Sequence, residues 1–189
     1  MSRAYRIQVC ESDRRVIRAA DAVSTHLGIL EILPAEEMAA LLAQELRDRG
    51  FVETGSLLRR ETNGISATVD PKTGVVTVRA ETEDEVQVKA FREGLAYLDA
   101  GPTVENIRAR LSQQAKADLD KEAARASDNL QQKATEKLEG ELLDLKLELD
   151  RAVNRVTATA LKRKATQMGV VKEIQEDEES GSLTIKLEV

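Results

Sequence analysis

The sequence predicts an α+β protein: an antiparallel sheet with one packed helix, then a long coiled-coil helix or helical hairpin, and a C-terminal β-hairpin. Three observations predict it. The run from Thr103 to about Gln167 holds no proline and one glycine, Gly140, and is built largely from strong helix formers. The N-terminal hundred residues alternate short apolar–polar runs with turn residues. The last twenty repeat the pattern of an earlier hairpin. The expected division is 1–100 for the α+β domain, 103–168 for the helical arm and 169–189 for the terminal hairpin.

Composition bounds the function. The chain has 189 residues, and its aromatic content of 2% leaves Val, Ile, Leu and Ala to make the core. A net charge of −6 argues against nucleic acid and against an anionic membrane surface as partners. No apolar run is long enough to span a bilayer, and the N-terminus lacks an apolar signal core, so a cytoplasmic protein is expected. A single cysteine, Cys10, excludes an internal disulfide.

Taken in order, Tyr5, Ile7 and Val9 alternate with polar residues as a half-buried strand. Ser12-Asp13 reads as a turn. Two further strands are expected at Arg15–Ala19 and Leu27–Leu33, with a short helix as the alternative. Pro34 opens a helix, since proline is tolerated in the first turn. Glu36 and Glu37 suit its N-terminus. Met38, Leu41, Leu42 and Leu46 form its apolar stripe, and Gly50 ends it. Strands follow at Leu57–Arg60, Ile65–Val69 and Val76–Arg79, with a turn at Asn63-Gly64 and a hairpin loop at Asp70–Gly74. Val86–Val88 reads as a short edge strand, and Gly101-Pro102 marks the boundary before the arm.

Along the arm, Val104, Ile107, Leu111, Ala115, Leu119, Ala123, Ala126, Leu130, Ala134 and Leu138 form an apolar seam, often in steps of four. Through Leu142, Leu145, Leu149, Ala152 and Val156 the spacing becomes heptad. Leu138, Leu142, Leu145, Leu149 and Val156 are the candidate interaction residues, expected to drive association with another helix. One straight helix of this length would span about 100 Å and leave the terminal hairpin isolated. A fold-back near Ser127–Asn129 or Gly140 spares it that isolation and is favoured. The hairpin itself is a repeat: Asp70, Thr73, Gly74, Val76, Thr77, Val78, Arg79 and Glu81 match Asp177, Ser180, Gly181, Leu183, Thr184, Ile185, Lys186 and Glu188 at identical offsets.

Candidate chemistry is thin. Asp70-Pro71-Lys72-Thr73-Gly74 lacks the spacing of a phosphoryl-accepting loop and reads as a turn. His26 is the sole histidine, with no second His or Cys near it in sequence, and reads as structural or surface. Cys10 has no neighbouring His to activate it. Glu176–Glu179 lacks calcium-loop spacing, and Lys162-Arg163-Lys164 suits a helix C-terminus. No catalytic, metal or cofactor site is expected.

The strand Tyr5–Val9, the helix start Leu33-Pro34-Ala35-Glu36-Glu37-Met38 and the hairpin Val69-Asp70-Pro71-Lys72-Thr73-Gly74 resemble a bacterial family of accessory proteins. These are encoded beside FtsH-like AAA+ ATPases in ternary systems proposed to act in conflict or defence. The resemblance implies a non-enzymatic protein partner of an AAA+ ATPase. A homo-oligomer is expected from the helical seam. The alternative is a self-assembling filament or shell component, and a third reading is an enzyme with its site at an oligomer interface.

Overall fold

A computed structural model describes residues 4–97, 102–177 and 182–188. Gly101, read as part of a boundary, and 178–181, read as the tip of the second hairpin, lie outside them. The elements in chain order are β1 (Ala4–His26), α1 (Ala35–Asp48), β2 (Val52–Thr54), β3 (Leu57–Thr62), β4 (Ile65–Val69), β5 (Val75–Tyr97), α2 (Val104–Met168), β6 (Val170–Asp177) and β7 (Ser182–Glu188). Five strands form one sheet in the order β1-β5-β4-β3-β2, and β6 and β7 form a second of two strands. The mixed α+β class, with its antiparallel sheet, short helix, long helix and terminal hairpin, is as the sequence predicts.

Three local expectations are corrected. Ser12-Asp13 does not turn: β1 is one strand of 23 residues. Asp13 instead accepts hydrogen bonds from the Arg14 backbone N–H (2.9 Å) and the Arg15 side chain (2.8 Å), so its side chain serves the strand edge. Leu27–Leu33 is not a strand; the bonds Ile29 N–H to Leu27 O and Ile32 N–H to Leu30 O fold it too tightly for a ladder. Val86–Val88 is not a short edge strand but the middle of the 23-residue β5, whose neighbours are β1 and β4.

The fold-back is also corrected. α2 is a single helix of 65 residues, running through Ser127, Asp128 and Gly140. Thr103 starts it, its hydroxyl accepting from the Asn106 N–H at 3.3 Å. Ser127 and Asp128 are good helix caps, but nothing breaks the seam there, and an isolated glycine is tolerated within a helix.

The chain divides into two compact units, at 20/21, 80/81 and 135/136. The first contains residues 1–20 and 81–135. Here β1 and β5 make a two-stranded ribbon, and the first half of α2 lies on one face. Ile7 and Ala96 pack with Ile107 and Leu111; Val88 and Ala90 with Ala115 and Leu119; Ala19 with Leu130 and Ala134. Gly94 permits the close approach: a Cβ there would meet a Leu111 methyl at 3.2 Å. Polar contacts flank this core, with Ser112 donating to Glu11 (2.7 Å) and Arg15 pairing with Asp120 (2.9 Å). Four-residue steps drift about 40° around a helix, and a twisted ribbon is a surface that such a stripe can follow.

The second unit contains residues 21–80 and 136–189. One face of β3, β4 and early β5 is its core: Leu58, Ile65, Ala67, Val69, Val76, Val78 and Ala80. Cross-strand partners on this face are Ile65 with Ala80, Ala67 with Val78 and Val69 with Val76. The helix α1 covers it through Met38, Leu42 and Leu46, and α2 adds Leu138, Leu149, Val156 and Ala160. The first hairpin loop closes as expected. Gly74 donates to the Asp70 carbonyl (2.8 Å) with φ +71°. The Lys72 N–H, donating to the Asp70 carboxylate at 2.9 Å, leads the contacts that hold that carboxyl below its usual range. A Cβ at Gly74 would also press on Ile29 at 3.4 Å. Gly74→Ala should therefore cost about 1–2 kcal/mol in urea unfolding; an unchanged midpoint would contradict this account of the loop.

Candidate interaction surfaces

The five candidate residues lie together along one face of α2. Leu138, Leu149 and Val156 are buried in the second unit's core, and Leu142 and Leu145 pack against it half-buried. Sheet strands and the α1 side chains Met38, Leu42 and Leu46 of the same chain share this core with the seam. Two ion pairs brace α2 along its own surface, Glu122 with Arg125 (2.7 Å) and Asp118 with Lys121 (3.9 Å). Asp118 also takes Arg92 of β5 at 2.6 Å, which holds helix to ribbon. Spacing revealed the seam but not what it faces, because a helix stripe fits a sheet as well as a helix.

A cleft of about 320 Å³ lies beside the seam, lined by Arg60, Thr62, Ile65, Ala67, Glu141, Asp144, Leu145 and Glu148. Its cation is already engaged. Arg60 donates through both terminal nitrogens to the two carboxylate oxygens of Glu148, each at 2.7 Å. It also donates to the Arg49 carbonyl (3.1 Å) and lies 4.7 Å over the Phe51 ring. Arg49 in turn reaches the Glu148 carbonyl (3.4 Å) and Glu45 (2.8 Å). The bidentate bond from Arg60 holds the Glu148 carboxyl below its usual range, against the opposing effect of desolvation. This group ties the end of α1, Phe51 and β3 to α2 as a clamp. Sequence order hid it, since Arg60 and Glu148 are 88 residues apart.

Among the described residues, no group of three His, Cys, Asp or Glu side chains is placed to hold a metal ion. Cys10 is exposed on β1, and His26 is exposed at its end. Side chains of 176–179 lie outside the described residues.

Among the described residues, three open apolar faces stand out. On the ribbon of the first unit, residues facing away from α2 include Phe91, 58% exposed, and Leu95, 53% exposed. Phe91 is one of two phenylalanines in the chain; the other, Phe51, is buried. On α2, Gly140, Leu143 and Leu147 follow three/four spacing on the side away from the core, with Leu143 66% and Leu147 48% exposed. On the terminal hairpin, Val171 pairs with Leu187 and Ile174 with Ile185, and Leu183 continues that face. None of the hairpin's described residues is buried. These faces were not legible as such: exposure depends on which side of each element the core occupies.

The described residues thus define an α+β protein whose open features are apolar strand and helix faces, the kind of surface that meets other proteins. The whole chain, residues 1–189, matches the FtsH ternary system domain X5, and it belongs to that family. It is an accessory protein of an FtsH-associated ternary system, and the match extends over the long helix that the resemblance in sequence did not cover. No curated protein and no solved structure matches the chain. No helix among the described residues is long and apolar enough to cross a membrane.

Proposed function

We propose that this protein is a non-enzymatic adaptor, cytoplasmic and bacterial, that docks on an FtsH-like AAA+ ATPase in a conflict or defence system. Membership of the ternary-system family over the full chain carries the reading. The docking face is the open side of the first unit's ribbon. A large aromatic and a second apolar side chain on one open strand face, with Glu93 between them, supply the apolar anchors of an interface. The acidic chain, at −6, suits a partner with a basic or apolar receiving surface.

The test is co-expression with the ATPase of the same system, followed by purification through a tag on this protein. The ATPase should co-purify, and Phe91→Asp with Leu95→Asp should weaken binding at least about tenfold. Both residues are exposed, so thermal unfolding should barely move. Undiminished binding by the double variant would remove this face from the proposal. Failure of the ATPase to bind, with large assemblies of this chain alone, would favour the self-assembling structural reading.

A further inference from the structure

The two hairpins make an internal comparison. In the first, three cross-strand pairs present one apolar face: Val69 with Val76, Ala67 with Val78 and Ile65 with Ala80. All six residues are buried under α1 and α2. The second hairpin repeats that register 107 positions later: Glu176 opposite Leu183, and Ile174 opposite Ile185. A bulge between Val171 and Glu173 then brings Val171 opposite Leu187. Without it Val171 would fall on the other face, because side chains alternate along a strand. The bulge therefore completes an apolar face of Val171, Ile174, Leu183, Ile185 and Leu187. The opposite face is polar, with ion pairs Lys186–Glu173 (2.5 Å) and Lys172–Glu188 (2.8 Å). The second face has no buried residue, and Ile174 is 44% exposed. A two-stranded hairpin is marginal in water without a covering element.

The same unit carries a helix stripe that lacks a sheet. Gly140, Leu143 and Leu147 face away from the core, and nothing lies within 4 Å of where a Gly140 side chain would begin. A mid-helix glycine costs about 0.5–1 kcal/mol relative to alanine; here it bares the backbone beside two exposed leucines. The opposite side of α2 already packs on the first hairpin's sheet.

The hairpin cannot cover that stripe in its own chain. Leu147 and Leu143 precede Gly169 by roughly 33 and 39 Å of helix at 1.5 Å per residue. The eight residues of β6 reach roughly 27 Å even if laid straight back along α2. We propose that the hairpin's apolar face docks on the Gly140–Leu143–Leu147 stripe of a second copy of this chain, and that the exchange is reciprocal in a two-fold dimer. Each copy offers one hairpin and one stripe, and a two-fold axis is the arrangement that closes both contacts within two chains.

Sedimentation of the full chain over a wide concentration range tests this. The chain should dimerise, and Leu147→Glu or Ile185→Glu should each weaken the dimer by about a hundredfold. Mixing the two variants should restore a heterodimer, because the intact hairpin of one meets the intact stripe of the other. A wild-type chain that stays monomeric overturns the proposal. So does an Ile185→Glu variant that dimerises normally, since that dimer would not use the hairpin. Cross-linking guards against a misfolded hairpin. In Cys10→Ser chains, Leu147→Cys on one and Ile185→Cys on the other should join through a short bis-maleimide. Linkage of Leu147→Cys chains to each other alone would indicate helix–helix pairing and refute the exchange.

Discussion

Leu149→Glu is expected to unfold the second unit at room temperature, or to lower its stability by at least about 4 kcal/mol. Leu149 is 4% exposed and shares a core with Leu138, Val156, Ala160 and the face of β4 and β5. A carboxylate there loses its water, and among the described residues no charged side chain is buried to pair with it. Protonation to avoid the charge still leaves a buried hydroxyl without a partner and removes the leucine's packing. Total stability of a typical domain is about 5–15 kcal/mol, so this one change consumes much of it. Lys146→Glu, on the exposed side of the same helix, should stay within about 0.5 kcal/mol. Urea unfolding followed by circular dichroism, in an Ile185→Glu background that removes the hairpin exchange, separates two accounts of the seam. If the sheet covers it, the loss appears equally at every chain concentration. If a helix of a second chain covered it, the loss would be a loss of association, visible as a concentration-dependent midpoint in the Ile185→Glu parent that Leu149→Glu abolishes.

The elements that could be read from sequence are those whose signals are local. Pro34, Glu36, Glu37 and the Met38–Leu42–Leu46 stripe specify α1 within fifteen residues, and α1 forms there with those three buried. The loop at Asp70–Gly74 closes through its own backbone and side chains. The long strands escaped for a physical reason. A strand is usually five or six residues, so a run of 23 was divided at its most turn-like residues. Ser12 can stand in a strand because it falls on the ribbon's open face, and Asp13, on the α2 side, because Arg14 and Arg15 satisfy its carboxylate. From Glu81 to Leu95, β5 is rich in Glu and other charged residues, and Val86, Val88 and Ala90 look like a fragment until α2 supplies Ala115 and Leu119 opposite them. Leu27–Leu33 shows the converse. Its apolar side chains belong to the core without a ladder, tethered where the Leu27 N–H donates to the Gly74 carbonyl at 2.8 Å. The seam of α2 was legible residue by residue. Its partners were not, because they are strand faces, joined in the second unit by α1, that the fold brings there.

Removing either member of the Arg60–Glu148 pair should cost about 2–3 kcal/mol. The two side chains are about three-quarters shielded, at 25% and 29% exposure, and joined by two bonds of 2.7 Å. Arg60→Ala also loses the Phe51 stack and the bond to the Arg49 carbonyl, so it should be the costlier change. A double-mutant cycle with Glu148→Ala isolates the pair, with a coupling of about 2 kcal/mol expected. The pH dependence has a definite sign. Arg60 lowers the Glu148 carboxyl below its ordinary 4.5. The folded protein therefore holds this proton less tightly than the unfolded chain does. The stabilisation is full above the ordinary carboxylate range and is lost as pH falls through the lowered value. Wild type and Glu148→Gln should differ most near neutral pH and converge in acid, below about pH 4.5. A gap that persists unchanged in acid would mean that shape and packing, not charge, hold the clamp. A coupling near zero would mean that Arg60 acts through Phe51 and the α1 carbonyl alone.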